Sequence, residues 1–181
     1  MVLNHNDIMR LIERGVIEGA LLEHVNGTSL DLTLGDEILI EDYAATPSKR
    51  FVRLSQRESL SVCRMKIPVG GFHMKPGKCV LAHTQQVFHL PADISGEYKL
   101  KSSLGRIFLD HMLAGWCDPT WNNSTLTLEL KNECQYHTLI IETGVRIGQI
   151  VFHRHDPVSP EFSYATKGRY NGDKSVQGAK K

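Results

Sequence analysis

Three stretches of this chain hold residues whose types and spacing suit chemistry. In SSLGRIFLDHM, Ser102 and Arg106 stand one helical turn apart, so both can face the same side. A helix start with free N–H groups, a hydroxyl and a guanidinium suits a phosphate or a polarised water. The plain alternative is that Ser102 only caps the helix and Arg106 makes a surface ion pair. In STLTLELKN, Thr125, Thr127 and Glu129 share one face of a strand, and Leu126, Leu128 and Leu130 share the other. A glutamate on a polar strand face is ordinarily solvated. Enclosed in a pocket, its pKa rises toward neutrality and it can act as a general base. Between the two lies DHMLAGWCDPTW. Ala114-Gly115 lets a backbone approach a ligand closely, Asp118-Pro119 favours a turn, and Trp116 or Trp121 can cover a base or sugar. On composition a packed turn with core tryptophans is the stronger reading, and His111 reads as structural.

Zinc is the usual way to activate water against a nucleobase, through H-x-E followed by P-C-x-x-C. The chain has nine histidines but neither element, and His153 and His155 alternate on one strand without a Cys pair. A zinc site is not expected.

These residues need elements to position them. Ile8, Leu11 and Ile12 repeat at helical spacing, with Asn4 or Asn6 to cap and Gly15 to end the helix. In VNGTSLDLTLG, Asn26-Gly27 signals a turn, and Leu30, Leu32 and Leu34 alternate with Ser29, Asp31 and Thr33 as in a half-buried strand. Residues 42–60, with Pro47, read as a loop. From Phe72 onward short strand-like runs recur (CVLAHT, EYKLK, STLTLELK, HTLIIE, GQIVFHR) between Pro- and Gly-bearing turns. That rhythm predicts a β-rich barrel or sandwich. Only SSLGRIFLDHM breaks it, with Leu104, Ile107, Phe108 and Met112 at mostly helical spacing and Ser102 placed to cap. The last stretch, SYATKGRYNGDKSVQGAKK, has three glycines and few apolar residues, a composition that predicts a mobile tail.

With 181 residues the chain is long enough for one domain with a real core. Its 21 basic and 20 acidic residues leave a net charge of +1, too even for a nucleic-acid binder relying on bulk electrostatics, so any anion site is local. The first residues are interrupted by charges and do not form a signal peptide, no stretch approaches a membrane span, and the four separated cysteines read as reduced, mostly buried thiols of a cytoplasmic protein.

KSSLGRIFLDHMLAGWCDPTWNNSTLTLELKN, residues 101–132, resembles the signature of the dCTP deaminases: S-S-L-(A or G)-R, then H-x-T-A, a D-P-G-aromatic turn and L-E-x-x-N. The likeness extends back to residues 25–35 and 74–94 and forward through residues 145–152 and GRYNGDKSVQG. It implies a mainly β, distorted β-barrel of the dUTPase-like kind (residues 1–163), with residues 164–181 as a lid, assembled as a homotrimer with sites between subunits. By the same resemblance Glu129 is the general base and proton shuttle, Ser102 and the backbone at Ala114 hold the attacking water, and Arg106 stabilises the site. Asp118 reads the deoxyribose, Gln149, Arg169 and Tyr170 grip the triphosphate, and Lys101 and Ser103 fall in the same nucleotide-binding stretch. Magnesium would arrive on the phosphates.

Members of the family differ in whether they stop at dUTP or continue to dUMP and pyrophosphate. Ala114-Gly115-Trp116-Cys117-Asp118 and Ile147-Gly148-Gln149 lean to the dUMP-forming side. The chain departs from the pattern at Leu113, Thr120 and Asp173 and by one added residue in NNST, departures that bear on base selectivity, including a 5-substituted cytosine. A plain dUTPase and a non-catalytic regulatory trimer are the alternatives.

Overall fold

A computed structural model describes residues 1–42, 44, 51–56 and 58–180. Residues 43, 45–50 and 57 of the loop expected over 42–60, and Lys181, lie outside the described residues. The chain opens with helix α1 (His5–Glu13), capped by Asn4, whose side chain accepts from the Asp7 N–H while the Asp7 carboxylate accepts from the Asn4 N–H. Asn6 lies inside the helix, and Gly15 follows its end at φ 70°. The strands are β1 (Ile17–Glu18), β2 (Leu30–Thr33), β3 (Glu37–Glu41), β4 (Val62–Lys66), β5 (Phe72–Met74), β6 (Cys79–His89) and β7 (Ile94–Leu100). Helix α2 (Ser102–Gly105) then precedes β8 (Leu109–His111), β9 (Trp116–Cys117), β10 (Asn122–Asn132), β11 (Leu139–Ile141) and β12 (Arg146–Arg154); helix α3 (Tyr164–Lys167) follows.

All five expected strand runs appear as β6, β7, β10, β11 and β12. One sheet runs β4-β3-β6-β10-β8 with β1 also on β6, a second runs β2-β12-β7-β9, and β11 pairs β5. Among the described residues the strands do not close into a ring, so the mainly β architecture is a distorted barrel. Its core includes the fully buried Leu30, Leu32, Leu128, Leu130, Phe88 and Phe152. Among the described residues no helix is long and apolar enough to cross a membrane.

Three expectations need correction. Strand β2 is buried on both faces rather than half-buried. Its polar face is satisfied from within: Asp31 accepts from Asn26 Nδ2, Lys101 Nζ and Arg146, at 3.0, 2.7 and 3.3 Å, and Thr33 bonds Gln85 and Gln86. The helix expected over 102–112 lasts only four residues, with Lys101 rather than Ser102 at its N-cap. After Gly105, Phe108 takes φ 62°, and Leu109 to His111 pair with β10, because burying Leu109 and His111 in the sheet outweighs the weak helical pattern. Of the four free cysteines only Cys117 and Cys134 are buried; Cys63 and Cys79 are exposed.

Candidate active site

Strand β10 builds the centre. Its Leu128 and Leu130 point into the core, while Thr125, Thr127 and Glu129, with Leu126 between them, line a pocket of about 530 Å³ together with Ala114, Trp116, Asp118, Trp121 and Tyr164. The added residue of NNST is absorbed locally. Asn122 pairs with His89 and Ser124 with Phe88, leaving Asn123 as a bulge at φ 52°. Beyond a second irregularity, Glu129 sits in regular register with Leu81.

Glu129 is three-quarters enclosed, at 24% side-chain exposure, and burial raises its pKa to about 6. Its Oε2 lies 3.3 Å from His111 Nε2, yet neither atom is aligned for a hydrogen bond and neither has another partner. Burial, opposed by the nearby Asp110 charge, lowers the His111 pKa to about 4. The imidazole is therefore neutral at physiological pH, and the contact is not a salt bridge. Behind His111 the Tyr98 ring sits at a centroid distance of 4.5 Å, its hydroxyl donating to the Ile147 carbonyl. Burial, with the charge of Glu129, drives the Tyr98 pKa upward. Tyr98 fits only because of two glycines. A Cβ on Gly115 would lie 2.9 Å from Tyr98 backbone and Cβ, and one on Gly148 would lie 2.2 Å from its ring. Gly115 thus admits Tyr98 rather than a ligand, which revises the reading of the Ala114-Gly115 pair.

Asp118 stands at the rim, its Oδ1 accepting from Trp116 Nε1 at 3.1 Å. Trp121 is buried and stacks on Phe88, whereas Trp116 is 56% exposed. The final segment lies along β10. Thr125 N–H donates to Asp173 O at 2.8 Å, Gln177 N–H to Thr127 Oγ1 at 3.4 Å, and Val176 is fully buried. Arg64 of β4 donates to the Val176 carbonyl, and Lys180 Nζ meets both carboxylate oxygens of Asp173. Tyr170, Asp173, Gln177, Gly178 and Ala179 consequently wall the pocket.

Of the residues expected in the site, this pocket collects Glu129, Ala114, Asp118 and Tyr170. Lys101, Ser102, Ser103, Arg106, Gln149 and Arg169 do not line it. Lys101 is paired with Asp31, Gln149 Oε1 accepts from Ser29 Oγ, and Ser102, Ser103, Arg106 and Arg169 are exposed. Beside Ser102 and Arg106 runs an exposed apolar strip of Ile107, Phe108, Met112 and Leu113. Leu113 lines a second pocket with His111, Gly115 and Trp116. Sequence reasoning missed Tyr98, Tyr164 and Gln177, and gave His111 only a structural role. The period-two alternation of residues 109–111 was the available signal for His111.

The fold has a solved counterpart. The crystal structure of 2'-deoxycytidine 5'-triphosphate deaminase from Agrobacterium tumefaciens matches with a TM-score of 0.64 and 21% identity over 83% of this chain, which spans 48% of that longer chain. A Methanopyrus kandleri protein named "dCTP deaminase, dUMP-forming" is 34% identical over 181 residues, covering 95% of this chain and 91% of its own. An Aquifex aeolicus protein of the same name is 34% identical over 182 residues, covering 97% and 92%. The chain belongs to the dCTP deaminase-like family, whose model matches residues 2–155.

The raised Glu129 pKa has a stability consequence. The folded state holds this proton more tightly than the unfolded one, so the residue's contribution is full below pH 4.5 and is lost as pH rises through about 6. Glu129→Gln removes that loss. The variant should gain up to about 2 kcal/mol at pH 8, and little at pH 4.5. Thermal unfolding at the two pH values checks this, and equal melting temperatures at pH 8 would contradict the burial argument.

Proposed function

We propose that this protein hydrolyses the 4-amino group of dCTP, using Glu129 as the general base, and goes on to dUMP and pyrophosphate. The observation that carries the reading is a carboxylate with its pKa near 6 on the floor of a walled pocket, in a chain whose family and named relatives are dCTP deaminases. Near neutral pH such a group is ionised yet basic enough to take a proton from water. Water adds to C4 as Glu129 removes one of its protons and passes it to N3; Glu129 then carries the remaining hydroxyl proton to the 4-amino group, so that C4=O forms as the C4–N bond breaks and ammonia leaves. Neutral His111 leaves the carboxylate free to carry the proton rather than locking it in an ion pair. Asp118 at the rim would accept from a deoxyribose hydroxyl, and the exposed Trp116 would offer a face to the base.

Ser102 and the Ala114 backbone would hold the water, and Arg106 would stabilise the developing charge. Lys101, Ser103, Gln149, Arg169 and Tyr170 would grip the triphosphate, which brings its own magnesium as part of the substrate. We assign no zinc, on the missing H-x-E and P-C-x-x-C elements and the lack, among the described residues, of any three clustered His, Cys, Asp or Glu. Exposure of Ser102 and Arg106 beside the apolar strip supports a homotrimer in which one subunit's α2 region completes its neighbour's pocket. Residues 164–181 would then be a lid on the barrel of 1–163. The free cysteines suit a reducing cytoplasm.

Incubation of the protein with dCTP, Mg²⁺ and a zinc-selective chelator, followed by ammonia assay and chromatography, should give equal ammonia, dUMP and pyrophosphate. A stable build-up of dUTP would limit the activity to deamination, and release of no ammonia while added dUTP is cleaved would make the protein a dUTPase. The shared site has a test of its own. Ser102→Ala and Glu129→Gln proteins should each be inactive, and co-expressing them should restore part of the activity through hybrid assemblies. No recovery in confirmed hybrids would place both residues' sites within single subunits.

A further inference from the structure

The turn that carries Asp118 contains a residue whose type conflicts with its backbone. Residues 118–121 close with the Trp121 N–H donating to the Asp118 carbonyl at 3.2 Å. Proline in the second place and a positive φ in the third make the type II pattern, where glycine or asparagine normally stands third. Here the third residue is Thr120, at φ 67°. Phe108, Leu113 and Asn123 are the other non-glycine residues with positive φ among the described residues, and Thr120 alone is β-branched. Such a conformation persists only where the surroundings over-determine it.

The surroundings here are the root of the final segment. Helix α3 begins after Ser163, which stands at the N-cap but makes no side-chain cap bond, its hydroxyl donating instead to the Pro160 carbonyl. The first free amides of α3 are taken by the distant turn. Tyr164 N–H donates to the Pro119 carbonyl at 3.3 Å, and Ala165 N–H to Thr120 Oγ1 at 2.9 Å. Thr120 therefore supplies in trans the oxygen that a capping Ser or Thr supplies in cis. The arrangement bears directly on the pocket. Asp118 and Trp121, on either side of the turn, line it, and so does Tyr164, next to Ala165. From Tyr164 the chain returns along β10 and closes the same pocket with Gln177 to Ala179.

We propose that Thr120 is a positioning residue for nucleotide binding: its hydroxyl caps α3 from across the turn and so fixes Tyr164 and the final segment over the Glu129 pocket. A left-handed threonine is kept because glycine, which would relieve the backbone, cannot supply the oxygen. Further along, Asn122 N–H donates to Asn171 Oδ1, and Trp121 Nε1 to the Tyr170 carbonyl. Those bonds hold the segment after α3 and leave the Ala165 amide to Thr120.

The kinetic part of the proposal rests on the dCTP deaminase reading, so the test has an arm that does not. Thr120→Gly, Thr120→Val and Thr120→Ser are compared with the parent by steady-state ammonia release and by amide hydrogen exchange at Ala165 without nucleotide. Losing one hydrogen bond should raise the KM for dCTP about tenfold in the Gly and Val variants, with kcat within about twofold. Thr120→Ser, which keeps the hydroxyl, should stay near the parent. Ala165 exchange should accelerate in the Gly and Val variants only. The melting temperature of Thr120→Gly should not fall, which separates the effect from unfolding. A Gly variant with parental KM and parental Ala165 exchange would overturn the proposal and leave Thr120 a tolerated strain. If the parent releases no ammonia from dCTP, the deaminase reading fails, and the exchange data alone decide: acceleration in the Gly and Val variants upholds the anchor, and its absence removes it.

Discussion

Strand β10 repeats every two residues, and its alternation places Leu128 and Leu130 in the core and Thr127 and Glu129 in the pocket, with Leu126, at the register shift, touching both. A slip of one residue would exchange the two sets, burying a carboxylate among leucines and exposing the leucines to water. The sheet guards against that slip on both sides. Strand β6 pairs with β10 from Asn122 to Lys131 and β8 pairs with its C-terminal end, with the irregularities confined to residues 122–127. The extra residue at Asn123 is spent before the chain reaches Glu129. The position of the site is thus a consequence of how the core is filled.

The same burial sets the basicity of the carboxylate. Removing Glu129 from water costs stability once it ionises, and that cost is the raised pKa. Gly115 and Gly148 admit Tyr98, Tyr98 backs His111, and neutral His111 faces the carboxylate without neutralising it. A cation in the place of His111 would stabilise the carboxylate and lower its basicity. The final segment, held by Arg64, Thr120 and the edge of β10, supplies the remaining wall.

Much of this was legible in the residues themselves. The β-rich rhythm, the capped first helix and the two-sided β10 follow from periodicity and turn chemistry, and each is a local signal. What failed was non-local. Residues 104–112 carry apolar spacing suited to a helix, but pairing with β10 overrides it after one turn. Asp31 and Thr33 look like solvated positions, yet Lys101, Arg146 and Gln86, far away in sequence, satisfy them under cover. His111 reads as structural because nothing near it in the chain signals Glu129, which meets it across β8 and β10. The glycine- and lysine-rich composition of the last stretch carries no sign of the buried Val176. Ser102, Arg106 and Gln149, which resemblance groups with Glu129, do not line its pocket within one chain.

The proposed role of Glu129 as a base depends on burial holding its pKa near 6. The pH dependence of kcat/KM for ammonia release from dCTP tests it most directly, since that ratio reports the free enzyme's essential base. The expected profile is a plateau above neutrality and an acid limb that bends at about pH 6, falling about tenfold per pH unit below it. A profile that stays level down to pH 5, or bends near the ordinary glutamate value of 4.5, would contradict it.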